Sequence, residues 1–245
     1  MKTIDVHPFD IGIEQFKSIQ DSLSKKVSLK NSVGNKSINF CAGVDLAYWQ
    51  KGQFEYAVCC ILIIDYTTGE IIEKTYSTGQ VTVPYIPGYL AFRELPLIIK
   101  AAKKLAIAPD FFLFDGNGYL HPRHMGIATH ASFFLGKPTI GVAKSYLKID
   151  DADYKMPLNK AGAYEDIIVN NEVYGRTLRT HENVKPIFVS CGNDIDLKTA
   201  TTIVLKFINE KSRLPVPIRM ADLETKKMRW QLNGREGERP CITHD

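Results

Sequence analysis

Strand-like and helix-like runs follow one another along this chain in an order that leaves few topologies open. Three runs of strand length come first, Ile38 to Asp45, Phe54 to Asp65 and Glu70 to Thr78. Thr67-Thr68-Gly69 joins the second to the third, a hairpin signal, so the three read as an antiparallel meander. A helix over Tyr89 to Leu105 follows, with Phe92, Leu95, Ile99 and Ala102 on one face. Pro96 lies inside it, where a missing amide hydrogen predicts a kink. Then come a short buried strand, Phe111 to Phe114, a helix, His124 to Leu135, and another short buried strand, Thr139 to Ala143. Strands linked by helical crossovers run parallel. The expected fold class is therefore α/β: a mixed sheet, three antiparallel strands and then parallel strands, flanked by helices.

Further elements extend this frame. A helix is expected over Ile13 to Leu23, and a hairpin, Tyr164 to Asn170 with Glu172 to Leu178, around Asn170-Asn171. A strand over Pro186 to Ser190 precedes helices at Asp196 to Glu210, capped by Asp196, and at Arg219 to Trp230. No repeat or linker interrupts the pattern, so residues 1–245 read as one domain.

Composition excludes several classes. Apolar residues make up 44% and charged residues 24%, which suits a globular core and not a disordered chain. The longest apolar run, Ala57 to Ile64, is too short to span a bilayer, and the first residues lack a signal-peptide pattern. Five cysteines, none in C-x-x-C spacing, argue against a disulfide framework or a zinc knuckle and fit a reducing cytosol. Cytoplasmic location is the expectation. Net charge is +4, with nine Lys/Arg against five Asp/Glu between Lys206 and Pro240. That stretch reads either as a polyanion-facing segment or as a solvated helix face.

Two blocks carry the chemistry, Val83 to Pro96 and Leu113 to Leu147. Each mixes Gly and Pro with Asp, Glu, His, Arg and Lys, a mixture a core has no use for, because a buried charge is costly unless paired or metal-bound. Asp45 and Asp115 stand at the ends of expected strands, where ligands gather in open α/β sheets. With Glu94 they form an oxygen donor set suited to Mg²⁺. A cation held there polarises a phosphate oxygen and lowers the pKa of water. Lys144 can meet a phosphate as a point charge, and His121 can move a proton. Plainer readings stand beside these: turn formers for Asp45 and Asp115, a solvated Glu94, a surface Lys144, a satisfied loop His121, and structural roles for His124 and His130.

Longer motifs separate these readings. Gly43-Val44-Asp45, Pro84 to Glu94, Asp115 to His130 and Pro138 to Ser145 match, in order and spacing, the motifs of endonuclease V, the deoxyinosine 3′-endonuclease family. The chain resembles that family from about residue 10 to residue 225. The resemblance implies a ribonuclease H-like fold. It also implies a metal-dependent endonuclease that recognises inosine, the deamination product of adenosine, and cuts 3′ to it in DNA repair.

Carried over position by position, the family's catalytic carboxylates fall on Asp45, Glu94 and Asp115, its phosphate-contacting lysine on Lys144 and its loop histidine on His121. Its strand-separating wedge falls on Pro84, Tyr85, Ile86 and Pro87, where two prolines stiffen a loop and a ring can fill the stack left by a displaced base. Its base pocket falls on Gly88, Leu90, Gly116, Gly126, Ile127, Gly141 and Ala143. The implied cofactor is Mg²⁺, with Mn²⁺ as an alternative, and the implied partner is DNA containing deoxyinosine, bound by a monomer. Inosine-containing RNA is the alternative substrate. One departure stands out. The family reads V-S-x-G-H before its late helix, with the His near the metal, whereas this chain has Val189-Ser190-Cys191-Gly192-Asn193. Asn193 cannot titrate near neutral pH, which opens a third reading, a catalytically weakened inosine-binding protein.

Overall fold

The structure, a computed structural model, describes residues 1–33 and 37–233. Cys241 and the last seven residues of the Lys206 to Pro240 stretch lie outside the described residues. In chain order the elements are α1 (Ile13–Ser24), β1 (Phe40–Lys51), β2 (Phe54–Asp65), β3 (Ile71–Gln80), α2 (Leu90–Ala102), β4 (Phe111–Asp115), α3 (Ile127–Leu135), β5 (Thr139–Ala143), β6 (Tyr164–Val169), β7 (Glu172–Leu178), β8 (Ile187–Asn193), α4 (Leu197–Lys206) and α5 (Val216–Leu232).

The strands form one eight-stranded sheet in the order β3-β2-β1-β4-β5-β8-β7-β6. β1 to β3 are antiparallel, as expected, and β4 and β5 run parallel to β1. Beyond β5 the sheet turns antiparallel again, through β8, β7 and β6. The β6–β7 turn places Asn170 and Asn171 at φ 49° and 65°, the left-handed pair that a two-residue hairpin requires.

β2 explains the layering. Its residues are almost all buried, yet they alternate between two cores. Cys59, Ile61 and Ile63 pack with α2 and α3. Cys60, Leu62 and Ile64 face the other way, with α4 and α5. A strand buried on both faces reads as a continuous apolar run, and helices must cover both sides. The four cysteines among the described residues are buried and unbridged. No described helix is long and apolar enough to cross a membrane.

Several boundaries differ from the sequence expectation: α4 ends at Lys206 and not Glu210, α5 begins at Val216 and not Arg219, and three more bear on the site. β1 does not stop at Asp45: its antiparallel pairing with β2 continues to Lys51, while its parallel pairing with β4 stops at Val44–Phe114. α3 begins at Ile127, because His124 adopts φ 55° and Gly126 supplies an extended N-cap. β8 runs on past Ser190 to Asn193.

α5 lies on β1 at an unusually close approach. A Cβ on Gly43 would stand 2.1 Å from the Pro217 carbonyl oxygen, a backbone atom that cannot swing aside. Gly43→Ala is therefore expected to push α5 off the sheet and cost about 3 kcal/mol by overpacking. Thermal unfolding checks this, and a variant with unchanged Tm would contradict the packing.

Candidate active site

Asp45 and Asp115 each lie one residue beyond the last parallel pair, Val44–Phe114, and so come side by side on adjacent strands. Lys144 follows β5, the next strand, and its Nζ stands 2.6 Å from Asp115 Oδ2. Helix α5 closes the site from one side, where Thr225 donates its hydroxyl hydrogen to Asp45 Oδ2 at 2.7 Å. Burial pushes Asp45 up to about 7, and the Asp115 carboxylate adds to the shift against the Thr225 hydrogen bond. Burial opposes the charge on Lys144, but Asp115 outweighs it and holds the ammonium above its usual range.

Glu94 enters from α2 and is buried, not solvated. Its Oε1 accepts the Tyr48 hydroxyl at 2.5 Å, and Tyr48 sits on the part of β1 that runs past Asp45. Burial pushes Glu94 up to about 8; the Tyr48 hydrogen bond opposes this, and the charges of Asp45 and Asp115 reinforce it. Arg93 lies over the Tyr48 ring at 4.6 Å, pairs with Glu55 at 2.7 Å and donates to the Val83 carbonyl at 2.7 Å. It thus ties the Glu94 end of α2 to the root of the Pro84–Pro87 loop.

Among the described residues no three Asp, Glu, His or Cys side chains already stand in the spacing of a coordination shell. Protein groups hold these oxygens instead: Thr225 on Asp45, Tyr48 on Glu94, Lys144 on Asp115. The donor set still fits a hard divalent cation. It is all oxygen, it is mostly buried, and that burial, reinforced by repulsion among its members, raises two of their pKa values.

The loop 84–87 is displayed as a wedge needs. Tyr85 is 68% exposed between two exposed prolines. Beside it lies a cavity of about 100 Å³, and Gly88, Leu90, Gly126 and Ile127 line it together with Tyr85 and Asn117. Gly116, Gly141 and Ala143 do not line it. A Cβ on Gly141 would stand 2.3 Å from the Gly118 nitrogen, so Gly141 lets the 116–118 turn lie flat on β5. Ala143 packs in a small cluster with Leu120 and Phe188.

His121 has no hydrogen available for a phosphate. Its Nδ1 accepts from the Arg123 and Met125 amides at 3.1 and 3.3 Å, which leaves the proton on Nε2, donated to the Gly88 carbonyl at 3.0 Å. Gly88, at φ 80°, also receives Arg123 and the buried Gln20 on the same oxygen. Burial and the Arg123 charge hold His121 down to about 4. The ring is a brace for the wedge loop. His121→Asn is expected to lower Tm without moving the pH profile between 6 and 8. A profile that loses a limb in this variant would restore a proton-transfer role.

Asn193 is not at this site. It pairs with Thr139 at the opposite end of β5 from Lys144, roughly 16 Å away along the strand. Its Oδ1 accepts the Ser28 amide at 2.7 Å, so it ties the segment after α1 to β8. The reading in which Asn193 weakens catalysis loses its geometric basis. The acidic group that sequence reasoning missed is Asp222 on α5. It is 7% exposed, paired with Arg219 at 3.2 Å and Lys226 at 2.9 Å, and close enough to raise the pKa values of both Asp45 and Lys144. Its signal was present: Ile218, Ala221, Asp222 and Thr225 share one helix face, so a charge stands where burial is expected.

Comparison with known proteins agrees with this geometry. The Endonuclease V family profile matches residues 21–223. Endonuclease V of Clostridium acetobutylicum is 62% identical over 234 residues, covering 95% of this chain and 100% of the relative. The crystal structure of the Bacillus subtilis Endonuclease V superposes with a TM-score of 0.93 at 56% identity, covering 96% of this chain and all of the other. A Ciona intestinalis Endonuclease V, 29% identical with a TM-score of 0.80, covers 90% of this chain and 98% of its own; it was solved with a DNA containing an inosine followed by a ribo-adenosine. The fold is accordingly ribonuclease H-like, and the chain belongs to the endonuclease V family.

Proposed function

We propose that this chain is an Mg²⁺-dependent endonuclease that binds inosine in DNA and hydrolyses a phosphodiester bond 3′ to it, leaving 3′-hydroxyl and 5′-phosphate ends, in the repair of deaminated adenine. The observation that carries the reading is the buried cluster of Asp45, Glu94 and Asp115, with Lys144 on Asp115, beside a pocket and an exposed aromatic wedge. A divalent cation, Mg²⁺ or Mn²⁺, held by Asp45, Glu94 and Asp115 supplies Lewis-acid activation of phosphate and water. Lys144 meets the charge that develops on the phosphoryl oxygens. Asp222 and Thr225 set the field and the rotamer of Asp45. Tyr85, in a loop with Ile86 and stiffened by Pro84 and Pro87, fills the stack that the displaced base leaves. One chain carries every group the reading uses.

Inosine-containing RNA is the second substrate class, and the ribo-adenosine after the inosine in the DNA bound by the Ciona relative favours keeping it. Matched DNA and RNA strands, each with one central inosine or one adenosine, decide between them when cleaved in parallel with Mg²⁺. Faster cutting of the inosine DNA supports the repair reading. Faster cutting of the RNA moves the function to RNA processing, and equal cutting of inosine and adenosine strands overturns the inosine reading.

A further inference from the structure

Resting on that reading, we infer that Arg213 is a positioning residue, which holds Lys144 against Asp115 by gripping the Lys144 carbonyl. Lys144 stands where the sheet stops. The pairing of β5 with β4 ends at Val142–Asp115, and its pairing with β8 ends at Ala143–Phe188, so Lys144 lies past both ladders. Its side chain is 42% exposed and is oriented by the ion pair to Asp115 at 2.6 Å. A pair so exposed contributes little, and a lysine side chain gains rotamer entropy by leaving it. Where Lys144 points therefore depends on where its backbone is held.

Arg213 lies in the loop between α4 and α5. Its Nη2 donates to the Lys144 carbonyl at 3.4 Å, and its Nη1 donates to the Pro186 carbonyl at 3.0 Å and the Lys185 carbonyl at 3.5 Å. Lys185 and Pro186 lead into β8, the antiparallel neighbour of β5. One guanidinium thus joins the chain leaving β5 to the chain entering β8, at the point where the ladder between them ends. The loop that carries Arg213 is itself anchored. Ser212 Oγ accepts the Leu214 amide at 3.0 Å, Leu214 is buried, and the Val216 amide donates to the Phe207 carbonyl at 2.9 Å.

The loop then runs into α5, whose Thr225 and Asp222 act on Asp45. Arg213 therefore connects the backbone behind Lys144 and Asp115 to the helix that sets Asp45. The task needs an arginine. A planar fork with five donors reaches acceptors on two separate segments at once, whereas an ammonium is a point charge and a glutamine amide has two hydrogens on a shorter stem. Small errors in such a frame are costly, since a displacement of about 1 Å at a catalytic group lowers a rate by up to about 100-fold.

Two measurements test this. The first needs no substrate: lysine acetylation by a succinimidyl ester, read by mass spectrometry, in wild type and Arg213→Gln. Labelling of Lys144 is expected to rise about 2- to 5-fold, the scale of one half-exposed ion pair, while Lys17 and Lys74 stay level. Arg213→Lys, which keeps the charge, is expected to raise it likewise and serves if Arg213→Gln does not fold. The second is single-turnover cleavage of an inosine DNA strand by wild type, Arg213→Gln, Lys144→Ala and the double variant. Arg213→Gln is expected to lower the rate about 10- to 100-fold with strand affinity in chelator unchanged. In the Lys144→Ala background the same substitution is expected to cost less than about 3-fold, because the group it positions is gone. Unaltered labelling of Lys144 overturns the inference. So does an equal rate loss with and without Lys144, since Arg213 would then support the fold at large, and so does a loss of strand affinity, since Arg213 would then meet the phosphate itself. If Lys144→Ala cleaves like wild type, the proposed part of Lys144 in the reaction falls, while the labelling still decides whether Arg213 holds it.

Discussion

Asp115→Asn is expected to lower single-turnover cleavage by about 10³-fold or more, equivalent to roughly 4 kcal/mol of barrier, while leaving the protein folded. The loss follows from position. Asp115 is the carboxylate that Lys144 touches at 2.6 Å, and it stands beside Asp45 on the neighbouring strand. The amide keeps the shape but removes a charge that would hold a cation and orient Lys144. Stability moves little for a physical reason. The variant gives up an ion pair to a lysine whose side chain is 42% exposed, and such pairs contribute little. It also relieves repulsion on Asp45 and Glu94, both of which Asp115 pushes toward protonation. Circular dichroism with a cleavage time course separates the two effects. Near-wild-type cleavage in a folded Asp115→Asn protein would remove Asp115 from the chemistry.

The second large effect is on stability, and its sign follows from the burial of Asp45 and Glu94, reinforced by the neighbouring charges. Asp45 is raised from 3.8 to about 7 and Glu94 from 4.5 to about 8. Between roughly pH 4 and pH 8 the folded protein therefore holds protons that the unfolded chain has released. Stability from these groups is fully present below pH 4 and is lost as pH rises through 7 to 8. The loss is on the order of several kcal/mol for the two carboxyls together, since each tenfold change in proton affinity corresponds to about 1.4 kcal/mol. A divalent cation at the cluster neutralises the ionised carboxylates and competes with the protons. Added Mg²⁺ should thus raise Tm more at pH 8.5 than at pH 5.5, at about 2–4 °C per kcal/mol for a chain of this size. An Mg²⁺ increment that is equal at both pH values, or absent at both, would contradict a cation site at Asp45 and Glu94.

What the sequence disclosed depended on how local each signal was. Asp115 was legible because four apolar residues and an Asp-Gly turn define β4 by themselves. Asp45 was half legible. The pairing partner that ends nearby is β4, not β2, so β1 continues through Tyr48, and the residue that holds Glu94 went unread. Asn193 was misplaced because V-S-C-G-N resembles a metal-side motif, yet β8 runs antiparallel to β5 and carries its end away from Lys144. Only pairing between distant strands fixes that direction. His121 looked like a proton carrier until its two nitrogens were counted against the Arg123, Met125 and Gly88 backbone. Asp222 had a helix-face signal, but its neighbours Arg219 and Lys226 at i−3 and i+4 gave the same spacing as a solvated charge face.

The proposed reaction requires the Asp45, Glu94 and Asp115 cluster to support hydrolysis of a phosphodiester bond at a fixed place relative to inosine. Mapping both products of an end-labelled DNA strand with one central deoxyinosine, with Mg²⁺ and with chelator, tests it most directly. One cut on the 3′ side of the lesion, with 3′-hydroxyl and 5′-phosphate ends and no product in chelator, is the expected result. Undiminished cutting in chelator, or cuts scattered without regard to the inosine, would contradict it.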